Sequence, residues 1–257
     1  MIHPTSIVSK DAEIGSNVNI GPFCIIEGNT FIGDETTIGT GTIIKRNTRI
    51  GKRNRIFHYV IIGEEPQDKK FKNENSSVEI GDDNIIREFT TIHRACGEGE
   101  KTIIGSNNYI MSYSHFGHNS ILGSNTIIVN NATLGGYAIV EDYAYLSAFV
   151  AVHQFTRVGK YAIVGGGFSV RNDVIPFAMA SGEPLRIVGI NIVGLKRNNF
   201  SQERIDKIKD AFKIIFWSGL NTKDAIEKLR EDNNDDVNYI IKFIEESKRG
   251  ITKGVNL

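Results

Sequence analysis

The chain has 257 residues, with 30 basic and 30 acidic side chains, so its formal net charge is zero and its pI is near 7.0. That balance lacks the basic excess of a general nucleic-acid binder, and no apolar run approaches the roughly 18 residues needed to span a bilayer. The opening MIHPTSIV has neither the basic nor the apolar region of a signal peptide, so a cytoplasmic protein is expected.

The organising signal is a repeat with a period of six. Stepping from Ile2, an apolar residue returns at Val8, Ile14, Ile20 and onward to Ile62, then at Ile80, Ile86 and Ile92, and then from Ile104 to Val170, with Phe116 the one non-aliphatic member. Hexads of this kind belong to parallel β-helices. Each is a short strand and a turn, and three of them close a triangular coil of 18 residues. The aliphatic side chain points inward and stacks on its equivalents. The next residue is often glycine, suited to a place where a Cβ would cost energy. Small residues four places on fill the remaining interior. Cys24 and Cys96 both stand at that fourth place, without metal-type spacing, and are expected to be small buried side chains.

Two polar excursions interrupt the repeat, at 63–79 and 94–102, and both rejoin it in phase. Loops carried by a rigid solenoid are candidates for function. The hexads fade after Val170, and Pro176, Gly182 and Pro184 mark a change of architecture. From Ser201 the apolar period becomes helical, with Ser201 as N-cap and Gly219 as the stop. Further helices are expected from Thr222 and over 237–248. The expected fold is thus mainly β, a prism over 1–190 followed by a small helical domain over 191–257, with Lys207, Lys209 and Lys213 on or beside an exposed face.

None of the six histidines stands at an inward position. Residues 18 apart lie in adjacent coils, so His118, Gly136, Tyr137 and His153 line one side of the prism, whereas His93 and His115 do not share that phase. Polar groups on two sides suggest a site built between subunits, and a cyclic trimer suits triangular prisms. A nucleophile elbow, a P-loop and a dinucleotide fingerprint are all absent. The spacing of His115 and His118 is wrong for two metal ligands facing the same way, so no metal is expected.

Several segments together carry a family resemblance along essentially the whole chain. They are IGPFCI at 20–25, PQDKKF at 66–71, IRE and TIHR within 86–94, the HxxH pair at 115–118, NNATLGG at 130–136, AVHQF at 151–155 and NIVGLKRNNFS at 191–201. In these the chain resembles the bacterial UDP-N-acetylglucosamine 3-O-acyltransferases of lipid A synthesis. The resemblance implies a left-handed parallel β-helix and a homotrimer with sites between subunits. It also implies transfer of a 3-hydroxyacyl chain from acyl carrier protein to the glucosamine 3-hydroxyl, with no cofactor beyond the carrier's thioester. His118 would be the general base and the Gly136 amide would hold the oxyanion. Asp68, Lys70, His93, His115, His153, Gln154, Asn191 and Arg197 would contact the sugar nucleotide. Gly166 falls where acyl length is measured, and Lys209 and Lys213 are candidates for docking the acidic carrier.

Four departures stand out. Asn119 replaces the aspartate that usually follows the catalytic histidine, Tyr137 a histidine, Val193 a glutamate, and Asn198 a basic residue. Asn119 can accept a hydrogen bond but brings no charge, so restoring an aspartate there is expected to raise the rate. Two alternatives stay open: an N-acyltransferase acting on an amino group of a different nucleotide sugar, and a non-catalytic or metal-binding trimer.

Overall fold

In the computed structural model, which describes residues 1–232 and 234–255, the repeat winds a left-handed triangular prism. Its walls are three sheets of nine, eight and ten strands, parallel throughout except for the last pair of the ten-stranded sheet. Strands sit one coil apart and pair through the repeat residues themselves, as in Ile25 with Ile43 and Ile26 with Ile44. From Ile20 to Val170 the inward stack is almost wholly sealed, and it is one continuous core. At the N-terminal end it is open, with Ile2 47% exposed.

Two different backbone demands recur at the turns. The glycine after the inward residue answers a close approach: a Cβ on Gly33 would lie 2.6 Å from the Gly51 carbonyl carbon in the next coil. The left-handed conformation falls two places later and is met mostly by asparagine and aromatic residues, among them Asn119 (φ 58°) and Tyr137 (φ 60°). Asparagine tolerates this region through local hydrogen bonding. The aromatic residues stack along the prism edge, as in Tyr59, Phe89 and Tyr113, with centroids 5.5 and 4.9 Å apart.

The small inward positions also carry polar ladders. Asn54, Asn84 and Asn108 are buried, and the Asn84 side-chain amide donates to Asn54 Oδ1 at 3.0 Å. Cys24 is fully buried, as expected. Cys96 is not. The chain has already left the prism at Arg94, so Ala95 is sealed instead and Cys96 is half-buried on the excursion.

The prism ends in an antiparallel pair, Ala178–Ser181 with Arg186–Ile190. Among the described residues, four helices follow rather than three. The additional one, α1 (Ile192–Arg197), is short and has no apolar periodicity to announce it, and Asn191 caps it by accepting from the Gly194 amide. Ser201 caps α2 (Gln202–Trp217) by accepting from the Arg204 amide, and Gly219 follows that helix at φ +79°. Then come α3 (Thr222–Leu229) and α4 (Asp235–Glu245). The tail returns to the prism, pairing Ile251 with Asp173 and Gly254 with Ile187. Residues assigned to the helical domain thus finish the last coil of the β-helix.

Candidate active site

The two excursions set the rung spacing around the histidines. Ile61 pairs with Thr91 and Thr91 with His115, separations of 30 and 24 residues instead of 18. A fixed step of 18 therefore fails across these coils. His93 and His115, set apart from the phase of His118 in the sequence, stand side by side with ring centroids 5.0 Å apart. The pairings of Phe116 with Leu134 and Leu134 with Val152 put His118, Gly136 and Gln154 in one column at a corner of the prism.

His118 is held in one tautomer by a chain of contacts that runs to the second excursion. The Cys96 amide donates to Asn119 Oδ1 at 2.8 Å, and the Asn119 amide donates to the Cys96 carbonyl at 3.2 Å. A backbone N–H can only donate and a backbone carbonyl only accept, so these two contacts fix which way the Asn119 amide faces. The same Oδ1 lies 2.9 Å from His118 Nδ1. Nδ1 must then carry the proton, which leaves Nε2 as the free lone pair.

Nε2 hangs over Gly136, where an added Cβ would stand only 2.5 Å from it. Tyr137 packs edge-on against the same ring, centroids 5.4 Å apart, and stacks in turn on Phe155 at 4.9 Å. At another corner the amide at this place of the hexad is capped by a side chain of the next coil, as Ser124 is by Asp142. Below His118 that next residue is Gly136, which has no side chain. Among the described residues, neither the His118 nor the Gly136 amide donates to a protein acceptor. An amide facing a base with nothing bound to it is ready for a developing negative oxygen.

The first excursion, between Ile61–Glu64 and Ser77–Ile80, folds back over this corner. It brings Asp68 Oδ2 to 3.9 Å from His118 Nε2. Asp68 Oδ1 accepts from the Lys70 amide at 2.9 Å, and the Lys70 side chain is exposed on the same loop. The loop is tied to its neighbour where the Asn75 amide donates to Glu98 and the Gly99 amide to the Asn75 carbonyl, at 2.9 and 3.0 Å. The buried Arg94 guanidinium lies over the Phe71 ring at 5.1 Å.

His115 Nδ1 contacts Thr91 Oγ1 at 2.7 Å, and His93 Nδ1 is buried without a partner. Burial, helped by the neighbouring His93, drives the His115 imidazole down to about 4; burial also holds His93 below the ordinary imidazole range. Both are neutral donors and acceptors at neutral pH. His153 is exposed, and its Nδ1 accepts from the Arg249 guanidinium at 3.2 Å. Arg249 lies outside every repeat, so nothing in the hexad pattern marks it.

Other predicted residues lie elsewhere. Asn191 and Arg197 line a cleft of about 820 Å³ on the ten-stranded wall, together with Val193, Asn198 and Ser147. A side chain at Gly166 would press on that wall, 3.0 Å from the Ala148 carbonyl and 3.7 Å from Ser147. On α2 Lys209 is half-buried and Lys213 exposed, and each is paired three residues back along the helix, with Asp206 and Asp210.

The profile of UDP-N-acetylglucosamine O-acyltransferase domain 2 matches residues 173–252, and that of the six-repeat bacterial transferase hexapeptide matches residues 101–136. The acyl-[acyl-carrier-protein]–UDP-N-acetylglucosamine O-acyltransferase of Alkalilimnicola ehrlichii is 49% identical over 255 residues, covering 98% of this chain and 99% of that one. The crystal structure of the UDP-N-acetylglucosamine acyltransferase from Bacteroides fragilis superposes with a TM-score of 0.97 at 42% identity, over 98% of this chain and all of the other. That of Francisella novicida does so with a TM-score of 0.94 at 39% identity, over 100% and 95%.

Proposed function

The chain belongs to the acyl-[acyl-carrier-protein]–UDP-N-acetylglucosamine O-acyltransferases, and from that premise we propose that His118 Nε2 is the general base for transfer at the corner described above. The protein moves an acyl group from acyl carrier protein to a hydroxyl of UDP-N-acetylglucosamine. On our reading the hydroxyl is the sugar's 3-OH, the chain is a 3-hydroxyacyl group, and the step opens lipid A synthesis in the cytoplasm.

As the 3-oxygen attacks the thioester carbonyl, its proton passes to Nε2 and a C–O bond forms. The negative oxygen of the tetrahedral intermediate takes the Gly136 amide. Collapse breaks the C–S bond, and the leaving sulfur takes the proton back from the imidazolium, giving an ester and a free thiol. Asn119 fixes the tautomer without supplying charge. Asp68, 3.9 Å from Nε2, supplies the negative charge that a protonated ring needs. His93, His115, His153, Gln154 and Lys70 frame the acceptor.

Asn191 and Arg197 sit on a different wall from His118. This supports a homotrimer in which a neighbouring prism brings that wall to the nucleotide, with Gly166 bounding the acyl chain there. The observation that carries the reading is the uncapped Gly136 amide beneath a histidine whose free nitrogen is Nε2. The test is mass spectrometry of reactions holding a series of 3-hydroxyacyl carrier proteins and either UDP-N-acetylglucosamine or its 3-amino analogue. The expected result is an O-acylated product with one preferred chain length. Acylation of the amino analogue alone would overturn the assignment of the acceptor.

A further inference from the structure

Although the whole chain is electrically neutral, its charge is unevenly spread at the C-terminal rim of the prism. Arg171, Arg186 and Lys253 line one depression there. Arg249 adjoins it, donating to His153 Nδ1 at 3.2 Å and approaching the Arg171 carbonyl at 3.5 Å. Among the described residues, none of these four cations has a carboxylate oxygen within 4.0 Å. The one acidic residue lining the depression is Glu183. By contrast, Lys207, Lys209 and Lys213 on α2 are each paired with an aspartate.

The backbone beneath the four is rigid. The Asp173 amide donates to the Gly250 carbonyl at 2.9 Å, Thr252 donates back to Asp173 at 2.8 Å, and Ile187 donates to Lys253 at 2.9 Å. Three segments distant in sequence are therefore stitched together to present one basic surface. The surface also has a fixed relation to the site. The pairings Phe116–Leu134, Leu134–Val152 and Val152–Val170 carry the column of His118 on through Gly136 and Gln154 to Asn172, beside Arg171. Three rungs at about 4.8 Å place the patch roughly 14 Å along the prism from the catalytic nitrogen.

We propose that this rim, formed by Arg171, Arg186, Arg249 and Lys253, is where the acyl carrier protein docks through an acidic face, rather than the α2 lysines. Its thioester arm then runs back past Gln154 to Gly136. The proposal rests on the transfer activity argued above. Charge complementarity of this kind acts mainly on encounter and is weakened by salt.

The experiment compares Arg171→Glu/Arg186→Glu with Lys209→Glu/Lys213→Glu, using the same 3-hydroxyacyl group on acyl carrier protein and on pantetheine. For the rim variant, KM for the carrier-borne donor rises at least ten-fold, kcat changes less than two-fold, and KM for the pantetheine thioester is unchanged. The α2 variant leaves all of these in place. Titration of fluorescently labelled carrier protein reads the same loss as a weaker Kd without any turnover. A carrier KM and Kd that do not move in the rim variant would overturn the proposal, as would an equal rise for both donors or a loss confined to the α2 variant. Absence of transfer by the unaltered enzyme, with carrier binding still sensitive to the rim, would fault the activity and leave the docking surface standing.

Discussion

At the scale of single residues, the site depends on what is missing from Gly136 and what is present at Asn119. A methyl group at 136 would enter the space of the His118 ring. We predict that Gly136→Ala lowers kcat about 100-fold, the size of loss expected when a reacting group moves by about 1 Å, while the melting temperature changes little. Asn119 has a second duty that the family pattern does not reveal. Its amide donates to the Cys96 carbonyl at 3.2 Å, and a carboxylate there would oppose oxygen to oxygen. Asn119→Asp, expected from the sequence to raise the rate, is now predicted to leave it unchanged or lower and to loosen the excursion. Cys96 is a built-in reporter, since the other thiol, Cys24, is fully buried. Alkylation of Cys96 should speed up several-fold in the variant; an unchanged alkylation rate together with faster transfer would restore the simpler view.

At the scale of elements, the hexad pattern revealed most of what the structure contains. A period of six with an aliphatic anchor dictates strand, corner and inward face at once, so the coils, the stacked core and the in-phase loops were all legible. Rung spacing across the excursions was not, because a loop's length does not say which strand the chain rejoins. That is why the closeness of His93 and His115 could not be read from the count, and why Cys96 appeared buried. Helix α1 escaped because six residues are too few for a periodic signal. The independence of loop and prism makes a clean prediction. Replacing residues 65–76 with a short Gly-Ser connection should leave the far-ultraviolet dichroism and melting transition nearly intact, since Ile62 and Ile80 stay in register. Transfer should fall more than ten-fold, because Asp68 leaves with the loop, and Asp68→Asn alone should reproduce much of that loss.

At the scale of the whole molecule, the prism provides rigidity and pays for it by burying imidazoles near its functional corner. His115 and His93 are held below their ordinary values by burial. The unfolded chain therefore binds more protons than the folded one below the ordinary imidazole value of about 6.5. Stability should decline as the pH falls from there toward about 4, where His115 titrates in the fold. A melting temperature several degrees lower at pH 5 than at pH 7, with a smaller drop in His115→Gln, is the expected outcome. Light scattering should give three times the 28.5 kDa chain mass if neighbouring prisms complete the site. Assembly was suggested by polar residues on two walls, but the rim cations were not legible in the sequence, since Arg171, Arg186, Arg249 and Lys253 meet only when the tail folds back.

The most direct measurement is kcat/KM for acyl transfer from 3-hydroxyacyl carrier protein to UDP-N-acetylglucosamine by the unaltered enzyme and by His118→Ala. With Nε2 of His118 as the base, the variant retains its fold and loses transfer by at least a factor of about 100, in the range that general-base removal costs. A variant that still transfers at a comparable rate would contradict the account.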